Sequence, residues 1–302
     1  MFDTVIIGSG PAGLSAAIYS CRAGLSFIII EKEMVSGGQI INTMEVDNYP
    51  GLYHINGFDM GQTFREHAEK LGAEFVCDTV NAVEKCETGF KVSGEKSTYE
   101  TKTVILATGA KHSELGIPGE KELVGKGVSY CATCDGAFYR GKEVAVVGGG
   151  DVAVEDAIFL SRMCEKVYLI HRRDSLRAAK SLQKQLFSLK SVEVIWDSNV
   201  TEIHGDDKLS EIMVCHKSGL TVALPVAGVF IAVGIVPESG LYAGLCELDE
   251  RGYVIADESC MSSTPGLLAV GDVRTKTLRQ VITAAADGAN AISSVENVFV
   301  IA

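Results

Sequence analysis

The stretch that decides the fold is Val5-Ile6-Ile7-Gly8-Ser9-Gly10-Pro11-Ala12-Gly13, an apolar run that leads into a G-x-G-x-x-G turn. A helix-compatible segment follows at 14–23, and a second apolar run at 26–30 ends at Glu31. This order predicts a strand, a tight turn, a helix and a second strand, which together form a βαβ unit. Because glycine clusters also occur in ordinary turns, the segments around this stretch decide its meaning.

The same order occurs again midway along the chain. An apolar run at 143–147 leads into Gly148-Gly149-Gly150-Asp151-Val152-Ala153, and helix-like and strand-like segments follow at 154–162 and 166–170. Alanine takes the place of the third glycine, which this fingerprint permits. The repeat predicts a second βαβ unit in the same chain.

Two further apolar runs indicate how the units are assembled. Segment 103–106 predicts a buried strand that ends at Ala107-Thr108-Gly109-Ala110, and segment 267–270 ends at Gly271-Asp272 before an apolar helix from about 280 to 298. The strand at 267–270 needs a sheet to join, and the apolar face of the closing helix needs a partner. We therefore predict an α/β fold with two Rossmann-like domains, in which the second domain, 113–240, is inserted into the first, 1–112 and 241–302.

The composition is that of a soluble globular protein with two domains of ordinary size. The 302 residues are 47% hydrophobic and 22% charged, which excludes a disordered or fibrous chain. The net charge of −12 argues against nucleic acid or an anionic membrane as a main partner. Met1–Asp3 lacks the basic region of a secretory signal, and no apolar run approaches the roughly 18–20 residues of a spanning helix. We therefore expect a cytoplasmic protein.

The first glycine turn has the features that a dinucleotide requires. Its glycines permit a tight turn, a close approach of the pyrophosphate, and close packing of the helix on the strand. The helix behind it offers free N–H groups and the positive end of its dipole to the phosphates. Glu31 lies 18 residues beyond Gly13, where a carboxylate accepts hydrogen bonds from an adenosine ribose.

The second βαβ unit carries different residues where its second strand ends, at the place where an adenosine ribose would bind. Its second strand ends at His171-Arg172-Arg173, and Arg177 follows four residues beyond. Guanidinium groups at this place neutralise a 2′-phosphate, which selects NADP(H) over NAD(H). A chain with two dinucleotide sites is typical of enzymes in which a nicotinamide donates hydride to a flavin. We therefore expect FAD at the first turn and NADPH at the second.

A local pair of cysteines supplies an acceptor for the electrons of the flavin. The pair lies in Cys131-Ala132-Thr133-Cys134-Asp135-Gly136, and thiols at this spacing form a small, readily reduced disulfide. Asp135 is placed to give or take a proton, provided that burial raises its pKa. The alternatives are a structural disulfide and a structural zinc site, but zinc needs about four ligands. The remaining cysteines are interpreted as core residues or inert surface thiols: Cys21, Cys77, Cys86, Cys164, Cys215, Cys246 and Cys260.

The redox motif resembles that of the low-molecular-weight thioredoxin reductases, and the rest of the chain resembles this family in the order of its motifs. The similar segments are Gly8–Leu14, Gly37–Gln39 with Asn48–Gly51, Gly148–Asp151, His171–Ala178, and Gly271–Arg274 with Arg279 and Gln280. The resemblance implies FAD contacts at Gly8, Ser9, Gly10, Pro11, Ala12, Gly13, Glu31, Lys32, Gly38, Gln39, Asn48, Thr108, Gly109, Gly271, Asp272, Arg279, Gln280 and Val281. It implies NADPH contacts at Gly148, Gly150, Asp151, Val152, His171, Arg172, Arg173 and Arg177.

The resemblance also implies the roles of the redox residues. Cys134 is the thiol next to the flavin, Cys131 exchanges with thioredoxin, and Asp135 is the acid/base. Members of the family are homodimers, and one domain rotates against the other between half-reactions. The crossings between the domains, and therefore the hinges, are expected around 111–118 and 236–240.

This chain departs from the family pattern at three places, none of which touches the redox residues. Val152 replaces a serine that usually follows the Gly-Gly-Gly-Asp turn, Ala286 occupies a position that is often glycine, and the pair Glu31-Lys32 is variable. The valine removes one hydroxyl contact to phosphate.

Other functions remain open at this point. They are a reductase of another thioredoxin-like protein, a flavin-dependent dithiol oxidase, a ferredoxin-linked reductase, and a nucleotide-binding module without activity. The arginines at 172, 173 and 177 argue against the oxidase and the ferredoxin-linked enzyme, since such relatives need no NADPH site. The cysteine pair beside an acid argues against a simple binding module.

Overall fold

The computed structural model describes residues 1–43, 46 and 48–297, which form two compact units. Unit 1 comprises Met1–Ile41, Tyr49–Lys111 and the chain from Val236 onward. Unit 2 comprises His112–Ile235 together with the described residues of segment 42–48. The chain therefore passes between the units at 111/112 and 235/236, and also on either side of segment 42–48. The sequence predicted two crossings, at 112/113 and 240/241. The sequence also placed segment 42–48 in the first domain, because a loop without periodicity does not indicate its packing partner.

The strands of the described residues are numbered in chain order. They are β1 (Phe2–Ile7), β2 (Phe27–Glu31), β3 (Phe75–Cys77), β4 (Val80–Cys86), β5 (Gly89–Gly94), β6 (Thr98–Leu106), β7 (Ala110–His112), β8 (Val128–Ser129), β9 (Glu143–Gly148), β10 (Lys166–Ile170), β11 (Val192–Ile195), β12 (Ser198–Gly205), β13 (Leu209–His216), β14 (Thr221–Pro225), β15 (Gly228–Ala232), β16 (Ile235–Pro237) and β17 (Leu267–Ala269).

The helices begin closer to the glycine turns than the sequence suggested. They are α1 (Pro11–Ala23), α2 (Gly57–Lys70), α3 (Ala132–Asp135), α4 (Asp151–Leu160), α5 (Lys180–Phe187) and α6 (Val281–Val295). The first turns of α1 and α4 include the last residues of the glycine motifs, so each begins three residues before the predicted starts at 14 and 154. The predicted end of the closing helix, residue 298, lies outside the described residues.

Unit 1 is built on a parallel sheet that the two ends of the chain complete together. Its central order is β3-β2-β1-β6, and β17 pairs with β6 in parallel register, Leu267 opposite Val104. The antiparallel strands β5 and β4 extend the other part of the β6 edge. The predicted joining of the segment at 267–270 to the first βαβ unit is therefore confirmed.

Helices α1 and α6 pack closely on one another in unit 1. A Cβ added to Gly288 in α6 would lie 2.2 Å from the carbonyl oxygen of Ala12 in α1, so no side chain fits there. Ser15 Oγ donates to the carbonyl of Ala285 at 2.6 Å. Small residues on both helices permit this approach, and it fixes the closing helix beside the first glycine turn.

Unit 2 repeats the strand order of unit 1. Its sheet has the order β11-β10-β9-β15-β8, and all its pairings are parallel. Apolar strands such as β9, with Val144, Ala145 and Val146 fully buried, are typical of a parallel sheet covered on both faces. Strands β12, β13 and β14 form a separate antiparallel sheet. The predicted α/β class with two Rossmann-type domains is confirmed.

Among the described residues, no helix has the length and apolar character needed to cross a bilayer.

Candidate functional site

The first glycine turn is closed by backbone approaches that exclude side chains at two of its glycines. Gly8 has φ +104, and a Cβ added there would lie 2.5 Å from the carbonyl oxygen of Ala107. A Cβ on Gly13 would lie 1.9 Å from the carbonyl oxygen of Gly8. At Gly10 the nearest atom is the Cα of Gly38, at 4.0 Å. Two glycines are therefore required by the fold, and Gly10 leaves space for a ligand.

The N terminus of α1 is suited to an anion. Pro11 is its first residue, which removes one N–H that would otherwise lack a partner. Its first turn holds no acidic side chain, and Gly10 provides no side-chain cap. The remaining N–H groups and the helix dipole favour a phosphate at this position.

Glu31 lies at the end of β2 and is held beside the first turn by Ser9. The N–H and the Oγ of Ser9 both donate to Glu31 Oε2 at 2.8 Å. The N–H of Glu33 donates to the other carboxylate oxygen at 3.1 Å. The carboxylate is therefore held beside the first glycine turn, whereas Lys32 is exposed.

The loop at Gly38 and Gln39 lies against the first turn. A Cβ on Gly38 would lie 3.3 Å from the Cα of Gly10. Gln39 Nε2 donates to the carbonyl of Ala110. Asn48, which the resemblance placed in the same flavin loop, is exposed and belongs to unit 2.

Thr108 and Gly109 follow β6 and are tied to the returning chain of unit 1. Thr108 Oγ1 donates to the carbonyl of Glu238 at 2.8 Å, and the N–H of Glu238 donates to the carbonyl of Gly109 at 3.0 Å. Gly109 has φ +70, and a Cβ there would meet no atom within 4 Å. The backbone at this strand end is open, as at Gly10.

Segment Gly271–Arg274, called the second FAD motif here because the resemblance assigns it to FAD, lies directly against the first glycine turn. Gly271 has φ +73, and a Cβ there would lie 3.0 Å from the Cβ of Ala12 in α1. Asp272 follows in a 3-10 turn, and its Oδ1 is buried without a hydrogen-bond partner among the described residues. Burial raises the pKa of this carboxyl, and nearby Lys276 and Arg279 oppose the increase. A buried carboxylate oxygen without a partner indicates a missing donor, such as a hydroxyl group of a ligand.

The remaining predicted FAD residues surround the start of α6. Arg279 stacks on the ring of Tyr253 at 4.0 Å, and its Nε is buried without a partner in the described part of the chain. Gln280 caps α6 through a capping box with Thr283, and Val281 is the first residue of the helix. Segments 8–13, 38–39 and 271–281 are far apart in sequence, and unit 1 brings them together around open backbone and unpaired polar atoms. These residues fit FAD.

The second glycine turn, in unit 2, follows the same design as the first. A Cβ on Gly148 would lie 2.4 Å from the carbonyl oxygen of Ala232. A Cβ on Gly149 would lie 2.2 Å from the imidazole of His171, whereas one on Gly150 would meet nothing within 4 Å. Gly150 immediately precedes α4. The turn is therefore open at the same position as Gly10 of the first turn.

The imidazole of His171 packs against the backbone of this turn at Gly149. It is buried, and its Nε2 lies 3.1 Å from the carbonyl oxygen of Ser175. Burial lowers the pKa of His171, and the charges of Arg177 and Arg173 lower it further against the effect of its hydrogen bonds. The imidazole is therefore neutral at neutral pH and positions the turn, although the sequence grouped it with the arginines.

The loop that carries the arginines is fastened to the turn by two hydrogen bonds. The N–H of Arg177 donates to the carbonyl of Gly149, and the N–H of Ala179 donates to Asp151 Oδ1, both at 2.8 Å. This arrangement uses the acidic side chain at the start of α4 for structure. Val152 is exposed in the same helical turn. Because valine has no hydroxyl, this side chain offers no hydrogen bond to a phosphate.

The guanidinium groups at the end of β10 are available to an anion. Arg172, Arg173 and Arg177 are exposed, and none forms an ion pair with another residue that the structure describes. Their charges also act on one neighbour, since two of them lower the pKa of His171. Three unpaired guanidinium groups beside an open glycine turn fit NADPH.

The cysteine pair forms a disulfide at the start of a short helix in unit 2. Cys131 is the N-cap of α3, Cys134 lies one turn later, and their Cα atoms are 5.3 Å apart. The N–H of Cys134 donates to Cys131 Sγ at 3.2 Å, which favours negative charge on that sulfur after reduction. The other cysteines of the described chain are free thiols, as predicted.

Asp135 has an environment that favours its protonated form. Ser129 Oγ donates to Asp135 Oδ2 at 2.7 Å and accepts from the N–H of Cys131 at 3.0 Å. Asp135 Oδ1 is buried without a partner among the described residues. Burial raises the pKa of Asp135, and the bond from Ser129 reduces the increase. A carboxyl in this state can hold a proton next to the disulfide.

Two buried carboxylates with structural consequences were missed by the sequence analysis. Glu120 accepts from the N–H groups of Leu115 and Gly116 at 2.9 and 2.7 Å and from the hydroxyl of Tyr130 at 2.9 Å. Asp287 lies in α6 beside the second FAD motif. For Asp287 a signal was present in the sequence, because it is the one charged residue of a helix that otherwise holds uncharged and mostly small side chains.

Comparison with known proteins identifies the class. The family model described as pyridine nucleotide-disulphide oxidoreductase matches residues 2–288. The chain belongs to this family.

Within that family, thioredoxin reductases are among the similar proteins. The thioredoxin reductase of Listeria innocua is 45% identical over 290 residues, which cover 95% of this chain and 91% of the relative. The crystal structure of thioredoxin reductase from Streptococcus pyogenes matches with a TM-score of 0.94 and 46% identity, and covers 98% of this chain and 97% of that chain. The thioredoxin reductase from Giardia duodenalis matches with a TM-score of 0.91 and 36% identity, over 98% of both chains.

Proposed function

We propose that this protein is an NADPH-dependent thioredoxin reductase that uses FAD and the Cys131–Cys134 disulfide. The observation that carries the proposal is the disulfide in α3 with the buried carboxyl of Asp135 hydrogen-bonded through Ser129 to the backbone of Cys131. A purely structural disulfide has no use for a buried acid beside it whose second carboxylate oxygen lacks a partner among the described residues. The relatives named thioredoxin reductase support the same assignment.

The two cofactors are assigned to separate units. In unit 1, the open backbone at Gly10 would receive the FAD pyrophosphate, Glu31 an adenosine ribose, and Asp272 a ribityl hydroxyl. In unit 2, Gly150 would receive the pyrophosphate of NADPH, and the exposed arginines its 2′-phosphate. FAD, when bound, supplies the two-electron transfer that connects NADPH to the disulfide. We accordingly interpret residues 1–112 and 241–302 as an FAD-binding domain and 113–240 as an NADPH-binding domain.

The residues of the chain then perform thiol–disulfide exchange. The reduced Cys131 thiolate attacks one sulfur of the thioredoxin disulfide, which forms a mixed disulfide and releases one thioredoxin thiolate. Cys134, as thiolate, attacks Cys131 Sγ, which restores the Cys131–Cys134 bond and releases the second thioredoxin thiolate. Two electrons pass to thioredoxin, and two protons complete its dithiol. Asp135 supplies or takes the proton at the cysteine pair.

Assembly and location follow the family. We propose a homodimer in the cytoplasm, with hinges near 111–118 and 236–240. The net charge of −12 supports the absence of nucleic acid as a partner.

The test uses the purified yellow protein under anaerobic conditions. NADPH should bleach the flavin absorbance, and oxidised thioredoxin should restore it. Cys134→Ser should retain bleaching by NADPH and lose thioredoxin turnover, because the internal disulfide cannot form. The matched control is Cys86→Ser, which changes an exposed free thiol in unit 1 and should behave as wild type.

The same experiment separates the alternatives. Thioredoxin turnover by Cys134→Ser at the wild-type rate would refute the relay. Oxidation of small dithiols by oxygen, with no bleaching by NADPH, would identify a dithiol oxidase and overturn the proposal.

A further inference from the structure

Asp287 is a buried carboxylate on which three donors converge. It lies in α6 within unit 1 and is almost fully buried. Its Oδ2 accepts from the N–H of Gly271 at 2.8 Å and from Lys276 Nζ at 2.7 Å. Arg274 donates to both carboxylate oxygens, from Nη2 at 2.8 Å and from Nε at 3.0 Å. All three polar side chains are 6% exposed or less.

This carboxylate is the principal counter-ion for two buried cations. Of the other acids near them, Glu258 lies 3.7 Å from Arg274 Nη2 and is almost fully exposed, so solvent screens it. Arg274 and Lys276 act on Asp257 and Asp272, respectively, through their charges alone. Burial alone would raise the pKa of Asp287, but the hydrogen bonds from Arg274 and Lys276 lower it below the usual value. Asp287 is therefore ionised at neutral pH, and its loss would leave Arg274 and Lys276 without their buried, hydrogen-bonded counter-ion.

The cluster determines the conformation of the second FAD motif. Gly271 has φ +73 and gives its N–H to Asp287. Asp272, the residue with the unpaired buried oxygen, follows directly. The next residue of α6, Gly288, lies against α1. Asp287 thus connects a rigid helix to the turn that presents Asp272.

We propose that Asp287 is a positioning residue of the FAD site, which holds the Gly271–Asp272 turn in place and balances the charge of Arg274 and Lys276 beside it. The inference rests on the proposed assignment of FAD to unit 1. Asp287 acts through Gly271 and the two cations, and it is not itself assigned a contact with FAD. With Asp287 ionised, the three side chains carry a net charge of +1; without it, they carry +2.

Two effects on the flavin follow from this arrangement. Loss of Asp287 would loosen the Gly271–Asp272 turn. FAD binding would then weaken, because Asp272 would no longer be held in position to bind a ribityl hydroxyl. An additional uncompensated positive charge stabilises the reduced, more negative flavin and makes its reduction potential less negative. Removal of one cation has the opposite effect on the potential. If the cluster served only to stabilise the fold, removing Asp287 and removing one of the cations would not shift the flavin potential in opposite directions.

The experiment compares Asp287→Asn with Lys276→Met in the full chain. FAD is removed from each purified protein, and its dissociation constant is measured by titration of the apoprotein with FAD. The flavin potential of the reloaded protein is then measured against a redox dye. Asp287→Asn should raise the dissociation constant about tenfold or more, the equivalent of one charge-assisted hydrogen bond, and make the potential less negative. Lys276→Met should make the potential more negative.

The matched control is Asp3→Asn. Asp3 pairs with Lys102 at 2.8 Å at the far end of β1 from the glycine turn, so FAD affinity and potential should be unchanged. An FAD affinity of Asp287→Asn equal to that of wild type would overturn the inference, as would shifts of potential in the same direction for both variants. If Asp287→Asn does not fold, the potential of Lys276→Met decides. A wild-type protein that binds no FAD would instead refute the proposed function.

Discussion

Gly150→Ala should separate the requirement of the fold from that of the nucleotide at the second glycine turn. Gly150 has φ −93 and ψ −175, a conformation that alanine adopts without strain. An added Cβ would meet no atom of the protein within 4 Å. The variant should therefore fold as well as wild type and gain up to about 1 kcal/mol from reduced freedom of the unfolded chain.

The cost should appear when NADPH binds. The second glycine of this fingerprint is the position at which pyrophosphate approaches the backbone, and the methyl group of alanine would occupy that space. An overpacked contact costs about 1–3 kcal/mol, which is about 5- to 150-fold in affinity. We expect the KM for NADPH to rise within this range, with little change in the thermal unfolding temperature.

Steady-state kinetics with NADPH and thermal unfolding of the same samples provide the assay. Gly149→Ala should show the reverse pattern, since its Cβ would lie 2.2 Å from the His171 ring, and should lower the unfolding temperature. Gly244→Ala, where a Cβ in unit 1 also meets nothing within 4 Å, should change neither quantity. A folded Gly150→Ala protein with the wild-type KM would refute the assignment of pyrophosphate to this turn.

Further predictions concern charge in unit 2. Arg172→Ala with Arg177→Ala should raise the KM for NADPH much more than that for NADH. Arg162→Ala, which changes an exposed arginine just beyond the C-terminal end of α4, should raise neither. Equal losses with both nucleotides would show that no 2′-phosphate is recognised. Asp135→Asn should lower thioredoxin turnover about a hundredfold or more. Burial raises the pKa of Asp135, so the stability that its neutral form contributes is present at low pH and is lost as the pH rises through the raised pKa. Wild type should therefore lose stability relative to the variant as the pH rises, and parallel stability profiles against pH would contradict this. Glu120→Gln should lower the free energy of unfolding by about 1–3 kcal/mol in denaturant titrations without altering FAD affinity, and unchanged stability would show that its hydrogen bonds are not stabilising.

The local patterns of the sequence were sufficient for the fold class. Turns such as that at Gly8–Gly13 and runs such as that at 166–170 have a conformation that neighbouring residues determine through sterics and periodicity. The strand at 166–170 was therefore predicted with its observed bounds. The helix starts at Pro11 and Asp151 were placed too late, because the last residues of each glycine motif already have helical conformation.

The local sequence patterns could not predict how individual side chains pack. His171 looks like one more cationic residue beside two arginines, and only its burial against Gly149 shows that it is neutral. Glu120 lies in a loop without periodicity, and nothing local indicates that its carboxylate meets Tyr130.

The sequence by itself was enough to predict two βαβ units with glycine turns, the assignment of FAD to the first and NADPH to the second, and a cysteine pair beside an acid. These features depend on residues a few positions apart, whose relation the chain fixes before it folds. The tertiary structure decided which groups lose water and which charges meet. The unpaired oxygen of Asp272, the raised pKa of Asp135 and the cluster around Asp287 all arise because packing brings distant segments together and excludes solvent from them.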